Sequence, residues 1–316
     1  MRNFTEFLLM GFSDDPVLQK VYAMLFSLIY LAALTGNLLI MVLTTTDQHL
    51  QTPLYFFLKN LSFIDICYIS VTLPNSIMNS LINAYSISFL GCALQVFFLI
   101  VLGGTEYALL LVMSYDRYAA ICHPLHYEAV MNRDTCVQMV TASWLGGCIS
   151  GALNMAGTFS VGFCEANRVS QFFCEAPSLL KLTCSGEPVL EHGLVIAGFA
   201  VSLVGFIMML ASYVHIFSMV LKIPSSKGRV KTLSTCLPHI TVVTLFLFSG
   251  SLTYVAESFV TSSSLKSLTS LLYTVLPPTV NPVIYSLRNR ELQAALRNVI
   301  AGEMSRSFIL IKRRKV

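Results

Sequence analysis

VYAMLFSLIYLAALTGNLLIMVLTT, residues Val21–Thr45, runs between Lys20 and Asp47 without one charged side chain. A bilayer core is crossed by ~20 residues of apolar helix, so this stretch is long enough to span. Six more blocks of the same kind follow, at about Leu54–Ile82, Cys92–Ile121, Cys136–Phe159, Leu190–Leu221, Thr232–Ala256 and Leu268–Leu287. Short loops join them, except for a longer segment of mixed character between the fourth and fifth. Barrel strands would be shorter and would alternate apolar with polar residues. The expected fold is therefore an all-α membrane protein, a seven-transmembrane helix bundle. Composition excludes a soluble domain: 55% of residues are hydrophobic and only 11% charged, where soluble chains carry about a quarter. Mean hydropathy is +0.71.

Lys and Arg orient the bundle. With the N-terminus outside, Arg2, Lys20, Arg168, Lys181 and Lys266 are external, and the remaining 15 of the 20 basic residues, from Lys59 and Arg117 to Lys315, are cytoplasmic. That asymmetry satisfies the positive-inside rule. It divides the chain into an extracellular tail (1–20), the bundle (21–287) and a cytoplasmic segment (288–316). The net charge of +4 is then juxtamembrane, suited to anionic lipid and an acidic partner face and no argument for nucleic acid. No cleavable leader is recognisable, so the first span is expected to serve as its own signal. Asn3-Phe4-Thr5 is a glycosylation sequon on the external tail. Cys92, Cys164, Cys174 and Cys184 all fall outside, where three pairings are open. Cys67, Cys136, Cys148 and Cys236 read as small buried hydrophobes.

Ionisable and amide groups at membrane depth are costly and mark function. Asp65 and Glu106 lie midway along the second and third spans, with Asn37 and Asn281 at similar depth in the first and seventh. Two carboxylates and two amides facing one interior would hold a proton or a small cation such as sodium. They would also serve as a hydrogen-bonded network, and the two readings coexist. Asp116-Arg117-Tyr118 closes the third span. Arg117 stands 25 positions after Cys92, a helical rise of roughly 37 Å, so one end is outside and the other inside. A guanidinium beside its own acid is either a switch that can be released or an arginine snorkelling at a helix end. Asn281-Pro282-Val283-Ile284-Tyr285 puts a proline hinge above a tyrosine in the seventh span.

These residues resemble rhodopsin-like G-protein-coupled receptors and, more narrowly, the olfactory receptors. The resemblance covers nearly the whole chain: Glu6–Phe12 near the start, Thr52–Leu58 in the first inner loop, and Met113–Tyr118 leading into Ala120–Tyr127. Lys231–His239 and Pro282–Asn289 complete it. Ser114, Pro238 and Ile69–Thr72 are similar to the tetrapod (class II) receptors and to family fourteen among them.

The resemblance implies a plasma-membrane odorant receptor that is not an enzyme. It would couple to the stimulatory olfactory G protein to raise cyclic AMP; the alternative is the same architecture used as a chemosensor in another tissue. It implies a Cys92–Cys174 disulfide, with Cys164 and Cys184 closing a smaller loop, and an ion site at Asp65 and Glu106. Arg117, Tyr213, His239 and Tyr285 would form the inner switch, and a short amphipathic eighth helix would lie near Arg290–Ile300. The ligand cavity would involve Leu99, Ile100, Gly103, Gly104, Tyr107, Asn154, Ser202, Phe246, Leu247, Tyr254, Ser258 and Thr274. Leu247, Leu233 and Ala256-Glu257 depart from the usual pattern. No fixed charge lines this set unless Glu257 turns inward, so a neutral alcohol, aldehyde, ketone or ester is expected. Gly103-Gly104 either hollows the cavity or lets two helix backbones pack closely. No prosthetic group is called for, and sodium is the one inorganic partner the residues suit. The seventh span lacks the lysine a retinal-binding protein needs, and no repeated halves point to a transporter.

Overall fold

The computed structural model describes residues 5–11, 15–82, 85–160, 162–163, 167–183, 189–259, 263–289 and 291–298; for 189–192, 231, 254–259, 263–264 and 287–288 it describes the backbone alone. Seven long helices make the bundle: α1 (Pro16–Thr46), α2 (Pro53–Ile82), α3 (Phe89–Cys122), α4 (Arg133–Ser160), α5 (Val189–Leu221), α6 (Ser226–Phe259) and α7 (Ser263–Arg288). Six of these are long and apolar enough to cross a membrane by length and composition alone. The seventh, α7, carries Pro277, Pro278 and Pro282 inside it and owes its place to packing against α6, α1 and α2.

Helix ends follow local chemistry. Asp15 caps α1 by accepting from the Val17 N–H at 2.8 Å, with Pro16 at the first helical position, where the missing N–H costs nothing. Asp47 ends α1 with its own N–H and starts a single 3₁₀ turn by accepting from His49 N–H at 2.9 Å. Ser88 caps α3 through Gly91 N–H at 3.1 Å.

The third helix is the hub, contacting α2, α4, α5 and α6. Leu58, Leu61, Ile64, Leu109, Leu110 and Met113 are buried in the main core. Large apolar side chains also face outward, for example Ile196, Phe199 and Val201 at 69–71% exposure on α5, as hydrocarbon-facing helices require. Cys136 and Cys236 are buried as expected, but Cys148 is exposed. In a bilayer the outward face is as apolar as the core, so a cysteine gains nothing by turning inward.

One end carries a small sheet that span counting does not anticipate. Strand β1 (Glu6–Leu9) pairs antiparallel with β2 (Ser86–Ser88) and parallel with β3 (Arg168–Val169). Its pleat turns Phe7 and Leu9 inward and Glu6 and Leu8 outward. Phe7 stacks on Phe89 at 5.9 Å and meets Phe163 edge-on at 5.5 Å. At this end Cys92 of α3 is disulfide-bonded to Cys174. Gln95, one turn along, accepts from Cys174 N–H and donates to Val71 O, both at 2.8 Å. At the other end 291–298 forms a short helix, with Leu292, Ala295 and Leu296 against the core. Tyr55 at the start of α2 bonds both Asn289 (3.0 Å) and Glu291 (2.6 Å), fixing that corner. Asn3, Cys164 and Cys184 lie outside the described residues, as do the side chains of Tyr254, Glu257 and Ser258.

Candidate functional site: a polar seam and its two ends

Midway down the bundle, Asp65, Glu106 and Asn281 are buried together. The Asn281 amide donates to both Asp65 oxygens at 3.1 and 3.3 Å and reaches Glu106 Oε1 at 3.5 Å. A neutral amide can bridge two carboxylates but cannot balance their charge. The trio is therefore chemically able to take up a proton or a small cation.

Asn37, read with the same group, is turned elsewhere. Its Nδ2 donates to Ala33 O at 3.0 Å in its own helix and to Pro278 O at 2.8 Å in α7. The second bond has a cause in the sequence. Proline at 282 has no N–H, so the carbonyl four residues earlier, at 278, loses its helical donor. Asn37 supplies that donor from α1. Beside it Gly36 admits the Pro282 ring, since a Cβ there would stand 3.0 Å from Pro282 Cβ.

At the far end of α3 from the disulfide, Arg117 pairs with Asp116, with Nε donating at 3.0 Å. The other Asp116 oxygen accepts from Tyr127 Oη at 2.7 Å. Burial, and then the neighbouring Asp116 carboxylate, push the Tyr127 phenol above its ordinary range, so it stays a donor. Tyr118 Oη meets His123 Nε2 at 3.0 Å. Tyr213 of α5 bonds His239 Nδ1 of α6, tying two helices that otherwise touch little. Among the described residues the Tyr285 hydroxyl is buried with no hydrogen-bond partner.

Between the seam and the sheet, some of the expected cavity residues meet and others do not. Tyr107 of α3 stacks on Phe246 of α6 at 6.3 Å and donates to Ser202 O of α5. Gly205 makes room for it, since a Cβ there would stand 2.8 Å from Tyr107 Oη. Phe246 in turn lies 6.5 Å from Tyr273 of α7, and Tyr273 meets Tyr68 of α2 edge-on at 6.2 Å. These four aromatic rings form a floor drawn from four helices, and Tyr273 and Tyr68 were not singled out from sequence. Their signal was faint, because a tyrosine in an apolar helix reads as ordinary core.

The two adjacent glycines divide the roles considered for them. Gly103 faces this floor, with Tyr273 Oη 3.4 Å from the place of a Cβ, whereas Gly104 faces Gly147 Cα of α4 at 3.8 Å. Successive residues point about 100° apart on a helix, so one glycine cannot do what its neighbour does. Gly104 thus belongs to the α3–α4 contact and not to the floor. Leu99 is buried in the core and Ile100 packs under the sheet. Leu247 is half-buried against the core. Asn154 and Thr274 bond back to carbonyls of their own helices at 2.9 Å.

A family model described as olfactory receptor matches residues 26–303. The chain is 54% identical to human olfactory receptor 14L1 over 92% of its length and 90% of that protein's. It is 51% identical to human olfactory receptor 14A16, covering 96% and 97% of the two chains. Among solved structures it is similar to squid rhodopsin, with a TM-score of 0.71 at 17% identity, over 90% of this chain and 81% of that one. That likeness concerns the fold alone.

Proposed function

The chain belongs to the olfactory receptor family, multi-pass G-protein-coupled receptors for odorants and not enzymes, and from that premise we propose a specific working cycle. A small neutral volatile molecule enters the bundle above the aromatic floor of Tyr107, Phe246, Tyr273 and Tyr68. It is held by apolar burial, with one or two hydroxyl or amide contacts setting its orientation. The Asp116–Arg117 pair then opens, and the Tyr213–His239 contact and the unpartnered Tyr285 hydroxyl rearrange around the freed guanidinium. A stimulatory heterotrimeric G protein engages that end, and cyclic AMP rises.

The observation that carries this reading is the Asp116–Arg117 pair at the end of α3, with Asp116 buried and the Tyr213–His239 contact joining α5 to α6, within a family of odorant receptors. Orientation follows with the N-terminus outside. Disulfides form in oxidising compartments, which favours the Cys92–Cys174 end as external, and the basic residues crowd the other end. Asn3 is then a glycosylation site, and the 291–298 helix rests on the inner leaflet beside anionic lipid.

An odorant panel on cells expressing the chain with the olfactory G protein tests the ligand class. Alcohols, aldehydes, ketones or esters should raise cyclic AMP, and a response confined to carboxylic acids would overturn the neutral assignment. Arg117→Ala should abolish ligand-driven cyclic AMP at matched surface expression; retained signalling would count against the switch. Asp65→Asn should change the sodium dependence of activation. An unchanged dependence would leave Asp65, Glu106 and Asn281 as a purely structural network.

A further inference from the structure

One cavity lies away from the aromatic floor. It is a groove of about 370 Å³ between α3, α4 and α5, lined by Leu111, Val112, Tyr115, Met139, Met208 and His215 among others. We propose that it binds a sterol-like membrane amphiphile, a rigid apolar body with one hydroxyl, at the Arg117 end of the bundle.

Position and chemistry both point that way. Met208 is 55% exposed and Tyr115 39%, so the groove opens toward hydrocarbon, and its volume is within the range of small-molecule sites. It is graded along its length. Leu111 and Met208 lie toward the bilayer centre. Tyr118 and His215 stand four and six residues from the ends of α3 and α5, within roughly 6–9 Å of the helix termini. That is the depth at which a sterol carries its hydroxyl.

The polar groups at this end are available. Tyr118 is engaged by His123, but the His215 imidazole makes only a ring contact with Tyr118, at 6.0 Å. Among the described residues neither His215 nor the Tyr115 hydroxyl has a hydrogen-bond partner. A polar group at the margin of the hydrocarbon needs one. No lysine or arginine lines the groove, and Arg117 is held by Asp116. A phosphate headgroup therefore finds no counter-charge, while a lone hydroxyl finds both a donor and an acceptor. A rigid body also loses less conformational freedom on binding than an acyl chain. Val112-Met113-Ser114-Tyr115-Asp116-Arg117 fits a short pattern associated with sterol contact, weak alone but here coincident with the groove. The occupant would wedge between α3 and α5 beside the Asp116–Arg117 pair, so sterol content would tune how readily those helices part.

The test is photolabelling of the full chain in phosphatidylcholine vesicles with a photoreactive cholesterol analogue, with and without excess cholesterol. Labelling should map to 111–118 and 208–215 and be competed by cholesterol. His215→Ala should weaken competition by about fivefold, the loss expected of one net hydrogen bond. Ala211→Trp, filling the groove, should suppress labelling severalfold, while Leu203→Trp, elsewhere on the exposed face of α5, should not. Should the tryptophan variant fail to reach the membrane, Met208→Phe provides the same test with a smaller side chain. Labelling spread evenly over outward faces, or insensitive to cholesterol, overturns the proposal, and so does undiminished labelling of the filled groove.

Discussion

Gly147→Leu will prevent delivery of the receptor to the cell surface, whereas Gly146→Leu, one residue away, will leave it near wild type. A Cβ at Gly147 would stand 2.7 Å from Val101 O of α3 and against Thr105 Oγ1. One turn on, a Cβ at Gly151 would stand 3.1 Å from Phe97 O. Backbone cannot yield as a side-chain tip can, so the helices would have to separate. Overpacking a formed interior costs about 1–3 kcal/mol for added methylenes, and separation also forfeits packing along the rest of the contact. In lipid, close packing of small residues is a chief source of helix association. At Gly146 a Cβ meets nothing within 4 Å, which makes it an internal control for helix propensity and hydrophobicity. Surface labelling of tagged variants reads the outcome; equal delivery of the two would show that α4 is not seated by these glycines.

Cys174→Ser, or Cys92→Ser, should abolish surface delivery or odorant response. The bond joins positions 82 residues apart, and closing a loop of that length restricts the unfolded chain by about 4–5 kcal/mol in the chain-entropy account. Gln95 also depends on it. With Cys174 untethered, its N–H is no longer held against Gln95 Oε1, and the link through Gln95 to Val71 O on α2 loosens. Surface labelling and cyclic AMP at matched expression check this, with Cys148→Ser as a control expected to be neutral. Wild-type behaviour of both Cys92 and Cys174 variants would sink the claim that this cross-link organises the sheet end.

The bundle was legible because predominantly apolar blocks of spanning length admit few structures. The Asp65–Glu106–Asn281 grouping was legible for a related reason: polar groups at membrane depth must face one another. Asn37 obeyed a different demand, the carbonyl released by a proline in another helix, which spacing within α1 cannot reveal. Gly147 and Gly151 stand four apart, the spacing of a small-residue stripe on one helix face, whereas adjacency forces Gly103 and Gly104 onto different faces. The floor tyrosines and the membrane-facing groove depend on which rings and gaps meet between helices, information that no single segment carries.

Strand β1 has a consequence for how the molecule is made. Its residues leave the ribosome well before those of its partners, Ser86–Ser88 and Arg168–Val169. At ~5–20 residues per second of synthesis, about ten to thirty seconds pass before the last pairing segment exists. Until then Phe7 and Leu9 have no interior to enter, and the strand edge is open to any other extended chain. Strand β1 thus waits on the rest of the sheet, and the molecule closes this end only after its fourth helix has been made.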